Sequence, residues 1–358
     1  MANNVQSISH PAQQVAFVTG ATGLLGNNLV RELLNAGFAV KALARSRKKA
    51  EQQLEGLPVE IVEGDMLEVA SFAAALVGVD VVFHTAAYFR DSYNGGSHWD
   101  ALYAANVSGT RNLLQAAYSA GVRRFVHTSS IAVLRGKPDQ LINETMLRKE
   151  SDADEYYRSK ILSDREVLAF LKSHPDFWAA MVLPGWMHGP GDLGPTSAGQ
   201  LVLDFMHGKL PGVPPGSVAI VDARDVARAL ILANQHGVRG DRYLAAGPRM
   251  SMSQVLAALE KVTGVKAPTR SIPLALLYPI GLVSEVKARL TGKPVQLSWA
   301  MVRALSRENG QSRFDPSKSA RELGLRFRPL AETLRDEVEW FLANGKVAAN
   351  TKLAARST

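Results

Sequence analysis

The first half of the chain alternates two textures. Short, mainly apolar runs alternate with stretches whose apolar side chains recur at three- and four-residue spacing. The runs 15–19, 38–43, 59–62, 80–84, 124–128 and 179–183 predict strands, the first of them buried on both faces. Leu24, Leu25, Leu29, Val30, Leu33 and Leu34 share one helical face, closed by Gly37. Further helices are predicted over 69–76, 106–120 and 156–171. Strands and helices alternating at these lengths predict βαβ units around a parallel sheet.

After Gly185 the pattern changes. Glycine and proline cluster between 185 and 216, a strand and a helix return over 218–221 and 226–233, and amphipathic helices follow, such as 253–263 and 330–342. An α/β fold is expected, a doubly wound parallel sheet with a smaller, mostly helical lobe that binds substrate. The divisions are a flexible start over 1–14, a cofactor domain over 15–185, the lobe over 186–344 with 218–247 interleaved into the sheet, and a flexible tail over 345–358. The strongly apolar stretch 272–283 is twelve residues long and contains Pro273 and Pro279. A spanning helix needs roughly 20 residues, so no membrane span is expected. The stretch reads as a core segment or lid, with a membrane-surface patch as the alternative. The first fourteen residues show neither a charged nor an apolar secretory region.

Composition narrows this picture. The 358 residues carry 41 Lys+Arg against 33 Asp+Glu, a formal charge of +8, and 46% are hydrophobic, which excludes a disordered or fibrous chain. The absence of cysteine removes disulfides, thiolate metal sites and cysteine nucleophiles, and suits a cytoplasmic protein. A positive surplus invites nucleic acid as a partner, so the position of the cations matters.

Gly20-Ala-Thr22-Gly23-Leu24-Leu25-Gly26 lies between the first strand and the first helix. There, glycines allow a tight turn and close backbone approach, and the helix start offers N–H groups to a pyrophosphate. This is a dinucleotide site in a Rossmann-type sheet. At the end of the second strand an acid would favour NAD, whereas this chain has Arg45-Ser46-Arg47-Lys48-Lys49. Arginine grips a 2′-phosphate with a bidentate fork, so NADP is expected, with Arg45 the first contact and Ser46, Arg47 and Lys48 beside it. Four of the surplus cations fall here, which argues for NADP over nucleic acid. Asp65 and Met66 follow the third strand, where adenine would lie, and Thr85, Ala86 and Ala87 follow the fourth, near a ribose. His84 reads as a structural histidine.

Tyr156 and Lys160 stand at i, i+4 on one helical face. A cation about 4 Å from a phenol at an effective dielectric of about 20 shifts it by about 3 pKa units, toward neutrality. Tyr157 could also reach Lys160 and ranks second. Ser129 and Ser130 end the fifth strand, on the edge where such sheets bind ligands. Either hydroxyl could hold a substrate oxygen while Tyr156 transfers the proton, so serine, tyrosine and lysine with a nicotinamide suit interconversion of carbonyl and alcohol. Tyr88, Phe89, Trp186 and Met187 give an apolar pocket. No second histidine stands at ligand spacing from His188, so no metal is expected.

These motifs, in this order, together with Asn106-Val-Ser-Gly109-Thr-Arg-Asn-Leu-Leu and Pro184-Gly185, resemble the extended short-chain dehydrogenase/reductases. Within them the chain looks most like the dihydroflavonol reductase and 3β-hydroxysteroid dehydrogenase branch. The resemblance implies Ser130, Tyr156 and Lys160 as the catalytic set, with Lys160 also on the nicotinamide ribose. It implies Ser129 and Asn106 among the cofactor-binding residues, Asn106 near the active-site helix, and Pro184-Gly185 beside the nicotinamide. It further implies homodimers formed through the Asn106 and Tyr156 helices. The expected activity is NADPH-dependent reduction of a small ketone or aldehyde. A nucleotide-sugar epimerase or dehydratase holding NAD(P) is the alternative, and a non-catalytic NADP-sensing protein the second. Epimerases typically carry an Arg-Asp-aromatic element that the stretch 218–226 lacks.

Overall fold

The computed structural model describes residues 13–89, 97–291, 302, 310 and 312–347. Seven parallel strands form the central sheet: β1 (Val15–Thr19), β2 (Ala39–Ala44), β3 (Val59–Glu63), β4 (Val81–His84), β5 (Arg124–Thr128), β6 (Trp178–Pro184) and β9 (Arg242–Ala245). Their order is β3-β2-β1-β4-β5-β6-β9, so the winding reverses between β1 and β4. Doubly wound sheets bind ligands at that crevice, beyond the carboxyl ends of the strands.

Both faces of the sheet are covered at its centre, which is why β1, β4 and β6 are mainly apolar, whereas the edge strand β3 carries Glu60 and Glu63. Ala16 and Val18 of β1 pack with α1 (Leu24–Asn35) and α7 (Ala223–His236), through Leu29, Leu33, Val226 and Leu230. Phe17, on the opposite face, packs toward α4 (Gly109–Ser119) and α5 (Glu155–Ser173), through Leu113, Leu114, Val167 and Phe170. Alternate residues of one strand thus serve two cores. A third core belongs to the smaller lobe. There α6 (Ser197–Met206), α8 (Met252–Thr263) and α11 (Leu330–Ala343) bury Val202, Phe205, Leu256, Leu259, Leu334 and Phe341 together.

Several expectations are corrected. The helix expected over 69–76 is two 3₁₀ turns, Met66–Ser71 and Ala73–Leu76; Asp65 caps the first through Leu67 N–H. The helix expected from 106 starts earlier, with α3 (Trp99–Leu102), and passes through a π-helical turn, Tyr103–Ser108, before α4. A second sheet joins β7 (Trp186–His188), β8 (Ser217–Asp222) and β10 (Arg249–Ser251). The expected flexible ends are partly anchored, since Gln13 and Gln14 bond to Gly37 and Ala39, and Val347 is buried in the third core. Residues 1–12 and 348–358 lie outside the described residues. The stretch 272–283 is not a core segment. It opens α9 (Leu274–Thr291), in which Leu277 is buried but Leu276, Leu282 and Val283 are exposed. No helix among the described residues is long and apolar enough to cross a membrane.

Candidate active site

The residues singled out in sequence line up along the carboxyl edge of the sheet: Gly20 after β1, Arg45 after β2, Asp65 after β3, Thr85 after β4, Ser129 after β5 and Gly185 after β6. In the loop from Gly20 to Gly26 the glycines answer different demands. Gly20 has φ +68°, and a Cβ there would stand 2.8 Å from Ala86 N; a Cβ on Gly26 would stand 2.1 Å from Gly20 O. These two are fixed by the protein's own packing. Gly23 is exposed, and its Cβ would meet only Gly20 O, at 3.4 Å. Its bareness is therefore available to something outside the chain. Helix α1 also starts with no side-chain cap and no acid in its first turn, whereas α5, α6, α7 and α8 are capped by Asp154, Thr196, Asp222 and Ser251. An uncapped start below a bare glycine fits a phosphate. Thr22 is half-buried beside it, and Leu24 and Leu25 are buried in the first turn.

Beyond β2, Arg45 is an exposed bend residue, and no ion pair engages Arg45, Lys48 or Lys49 among the described residues. Ser46 caps α2 (Arg47–Gln53), while Arg47 is turned aside onto Ile61 O at 2.9 Å. Three cations without a carboxylate fit a 2′-phosphate. Met66 is buried and borders a cavity of about 340 Å³ with Trp99 and Tyr103; none of Ser130, Tyr156 or Lys160 lines it.

Thr19 ties β1 to the loop after β4. Its Oγ1 accepts from Thr85 N and Ala86 N, each at 3.1 Å, and lies 2.8 Å from His84 Nδ1; the Thr85 hydroxyl donates to Thr19 O. Ala87 follows, exposed. Behind this edge runs a buried polar column: His84 to Thr110 at 3.0 Å, Thr110 to Ser163 at 3.2 Å, Ser163 to His127 at 3.2 Å, then Asp164 and Arg242. Burial, helped by the nearby His127 and Lys160, pushes His84 well below the ordinary histidine range. Both ring nitrogens are occupied, so His84 is structural.

The proton-transfer candidates meet at the end of β5. Lys160 is 3% exposed and donates from Nζ to Thr128 O at 2.6 Å. Burial lowers its pKa to about 8, with the Asp164 carboxylate pulling it upward. One turn earlier, buried Tyr156 packs with Ala132 and Leu102, and Phe89 sets its ring perpendicular to the phenol at 4.7 Å. The segment from Thr128 to Ala132 is thus held by both members of the Tyr-x-x-x-Lys pair. Ser130 sits half-exposed inside it, its Oγ accepting from Ala132 N at 3.1 Å, while Ser129 is buried at 2% exposure. Tyr157 is turned to Arg148, whose guanidinium lies 4.7 Å from the ring centre.

Asn106 acts as a strut. Its Oδ1 accepts from Tyr88 N at 2.7 Å, and its Nδ2 donates to Tyr88 O and to Ser159 Oγ, each at 3.0 Å. Both amide hydrogens are used within the protein, so Asn106 positions Tyr88 and α5. Tyr88 and Phe89 pack beside Tyr156. Trp186 and Met187 do not share a wall: they alternate along β7, and Met187 packs on the first core. Gly185 follows Pro184, and a Cβ there would lie 2.5 Å from Ala219 O, so β8 already demands glycine. Sequence reasoning assigned no role to Ser159 or Asp164; Asp164 left a signal, repeating the four-residue step from Tyr156 through Lys160, and Thr19 was legible only as the residue that opens the glycine loop.

A sequence model of the NAD dependent epimerase/dehydratase family matches residues 16–246. The chain belongs to that family. Within this extended short-chain dehydrogenase/reductase family it is 37% identical, over 92% of its length and 99% of the relative's, to "Sterol demethylase protein B" of Methylococcus capsulatus. It is 34% identical to a "Putative dihydroflavonol 4-reductase" of Synechocystis, over 92% and 95% of the two chains. The solved structure of gox2253 superposes with a TM-score of 0.78 at 31% identity, covering 94% of this chain and all of that one.

Proposed function

We propose that the protein is an NADP(H)-dependent reductase that converts a ketone or aldehyde to an alcohol. The observation that carries this reading is the double grip on one loop: Lys160 Nζ bonds to Thr128 O, Tyr156 packs on Ala132, and half-exposed Ser130 lies between. Tyr156 donates the proton to the substrate oxygen, Ser130 orients that oxygen, and the Lys160 cation favours loss of the phenolic proton. NADPH, when bound, supplies the hydride.

Gly20, Thr22, Gly23, Leu24, Leu25 and Gly26 would cradle its pyrophosphate, and Arg45, Ser46 and Lys48 its 2′-phosphate. Asp65 and Met66 would flank the adenine. Thr85, Ala86 and Ala87 would border a ribose, Lys160 would hold the nicotinamide ribose, and Pro184 and Gly185 would face the nicotinamide. Residues 15–185 form the cofactor domain in this reading, and 186–344 the substrate lobe; of the stretch 218–247, α7 and β9 return to the central sheet, whereas the strand expected over 218–221 is β8 and pairs with β7 and β10. The wall of Tyr88, Phe89 and Trp186 favours an apolar, ring-bearing or aliphatic carbonyl. The reductase name of the Synechocystis relative supports the same class. The working unit in this reading is a homodimer.

The test is NADPH and NADH consumption over panels of aldehydes, ketones and steroid- or flavonoid-like carbonyls. Turnover with NADPH is expected, and Arg45→Ala should raise the KM for NADPH about tenfold while leaving that for NADH unchanged. Retained cofactor without net consumption on any carbonyl would instead favour a sugar epimerase.

A further inference from the structure

In a water-facing helix the apolar side is buried and the polar side exposed. Helix α9 instead leaves apolar side chains facing water. Among the described side chains between 274 and 286, the exposed ones are Ala275, Leu276, Pro279, Leu282, Val283 and Val286, all apolar. Leu276, Pro279, Val283 and Val286 recur at three- and four-residue steps and so form one stripe, with Val283 67% exposed. Leu277 and Gly281 are the buried positions behind it. An apolar stripe of this kind marks a surface that something covers.

The surrounding charge indicates what covers it. Val213 N donates to Arg270 O at 2.8 Å and Ile272 N to Val213 O at 2.9 Å, which stitches the root of α9 to the segment after α6. Lys209 and Arg270 are exposed in these two segments, and neither makes an ion pair among the described residues. Toward the far end the sequence adds Lys287 and Arg289, against Glu285 as the sole acid between 273 and 291. A two-fold contact between copies would set these like charges against one another. An anionic lipid surface would attract them. With Pro279 inside it, α9 is too short and insufficiently apolar to cross a bilayer.

We propose that α9 is a membrane-surface docking element, which lays its apolar stripe into the headgroup boundary of an anionic bilayer while its flanking cations meet the headgroups. The surface is independent of the reaction assigned to the cofactor edge. The test is co-flotation of the full chain with mixed phosphatidylcholine and phosphatidylglycerol vesicles, compared with phosphatidylcholine alone, at low and high salt. The wild type is expected to float with the mixed vesicles and several-fold less with neutral ones or at high salt. The double variant Leu282→Asp, Val283→Asp should lose about tenfold or more of that binding while keeping the wild-type thermal transition. If that variant misfolds, the pair Lys209→Glu, Arg270→Glu takes its place and must abolish the preference for anionic vesicles. A wild type that stays unbound, or variants that float as well as it does, would overturn the proposal. So would a double variant that changes only the sedimentation coefficient, since that assigns the stripe to a second copy.

Discussion

Lys160 carries an energetic cost that the site's chemistry explains. Its ammonium is buried, and its pKa falls from 10.5 to about 8. The unfolded chain therefore holds this proton more tightly than the folded one. The cost is full below pH 8 and fades as pH rises toward 10.5, amounting to about 3 kcal/mol at neutrality. Lys160→Met removes the charge, so the difference in Tm between variant and wild type should shrink as pH rises from 8 toward 10. A constant difference across that window, followed by calorimetry, would mean that folding leaves the Lys160 pKa unshifted. A buried cation kept despite such a cost is characteristic of a functional site.

At the scale of elements, the glycine loop separates folding from binding. A Cβ on Gly26 would stand 2.1 Å from Gly20 O, so Gly26→Ala should cost about 3 kcal/mol. Gly23 has φ −84° and ψ 169°, which alanine adopts freely, and meets nothing closer than 3.4 Å. Gly23→Ala should leave Tm unchanged and weaken NADPH binding about tenfold or more, measured by fluorescence titration. The alternation of apolar runs and helical stripes made the six main strands, α1 and α5 legible in sequence, because each buries a periodic face. What stayed hidden depends on tertiary partners. The π-helical turn before α4 carries Asn106, whose amide spans Tyr88 and Ser159, and no local pattern records that pairing. The 3₁₀ turns after β3 looked helical by composition alone. Met187 was grouped with Trp186 by adjacency, although strand alternation separates them.

Across the whole molecule, a buried contact joins β7 to the lobe. His188 Nδ1 on β7 lies 2.9 Å from Glu337 Oε2 on α11, and neither side chain is more than 1% exposed. Arg224 reinforces the junction by bridging Asp222 and Asp336, each at 2.7 Å. Glu337→Ala leaves a buried imidazole without its partner and should lower stability by about 3 kcal/mol. Because the contact lies outside the glycine loop, NADPH affinity should be unaffected below the new Tm. A parallel loss of affinity would show that the lobe helps to shape the cofactor edge.

The charge surplus also finds a place at this scale. Arg45, Lys48 and Lys49 stand without ion pairs among the described residues at the cofactor edge, and Lys209 and Arg270 do so at the root of α9. The central claim concerns the other end of the cofactor edge, where Tyr156 is the proton donor to a carbonyl oxygen. Its most direct measurement is turnover by Tyr156→Phe on a carbonyl that the wild type reduces, with NADPH binding titrated on the same preparation. Removing one hydroxyl should lower kcat about a thousandfold and leave the Kd for NADPH within about twofold. Reduction at the wild-type rate with intact NADPH binding would contradict the claim.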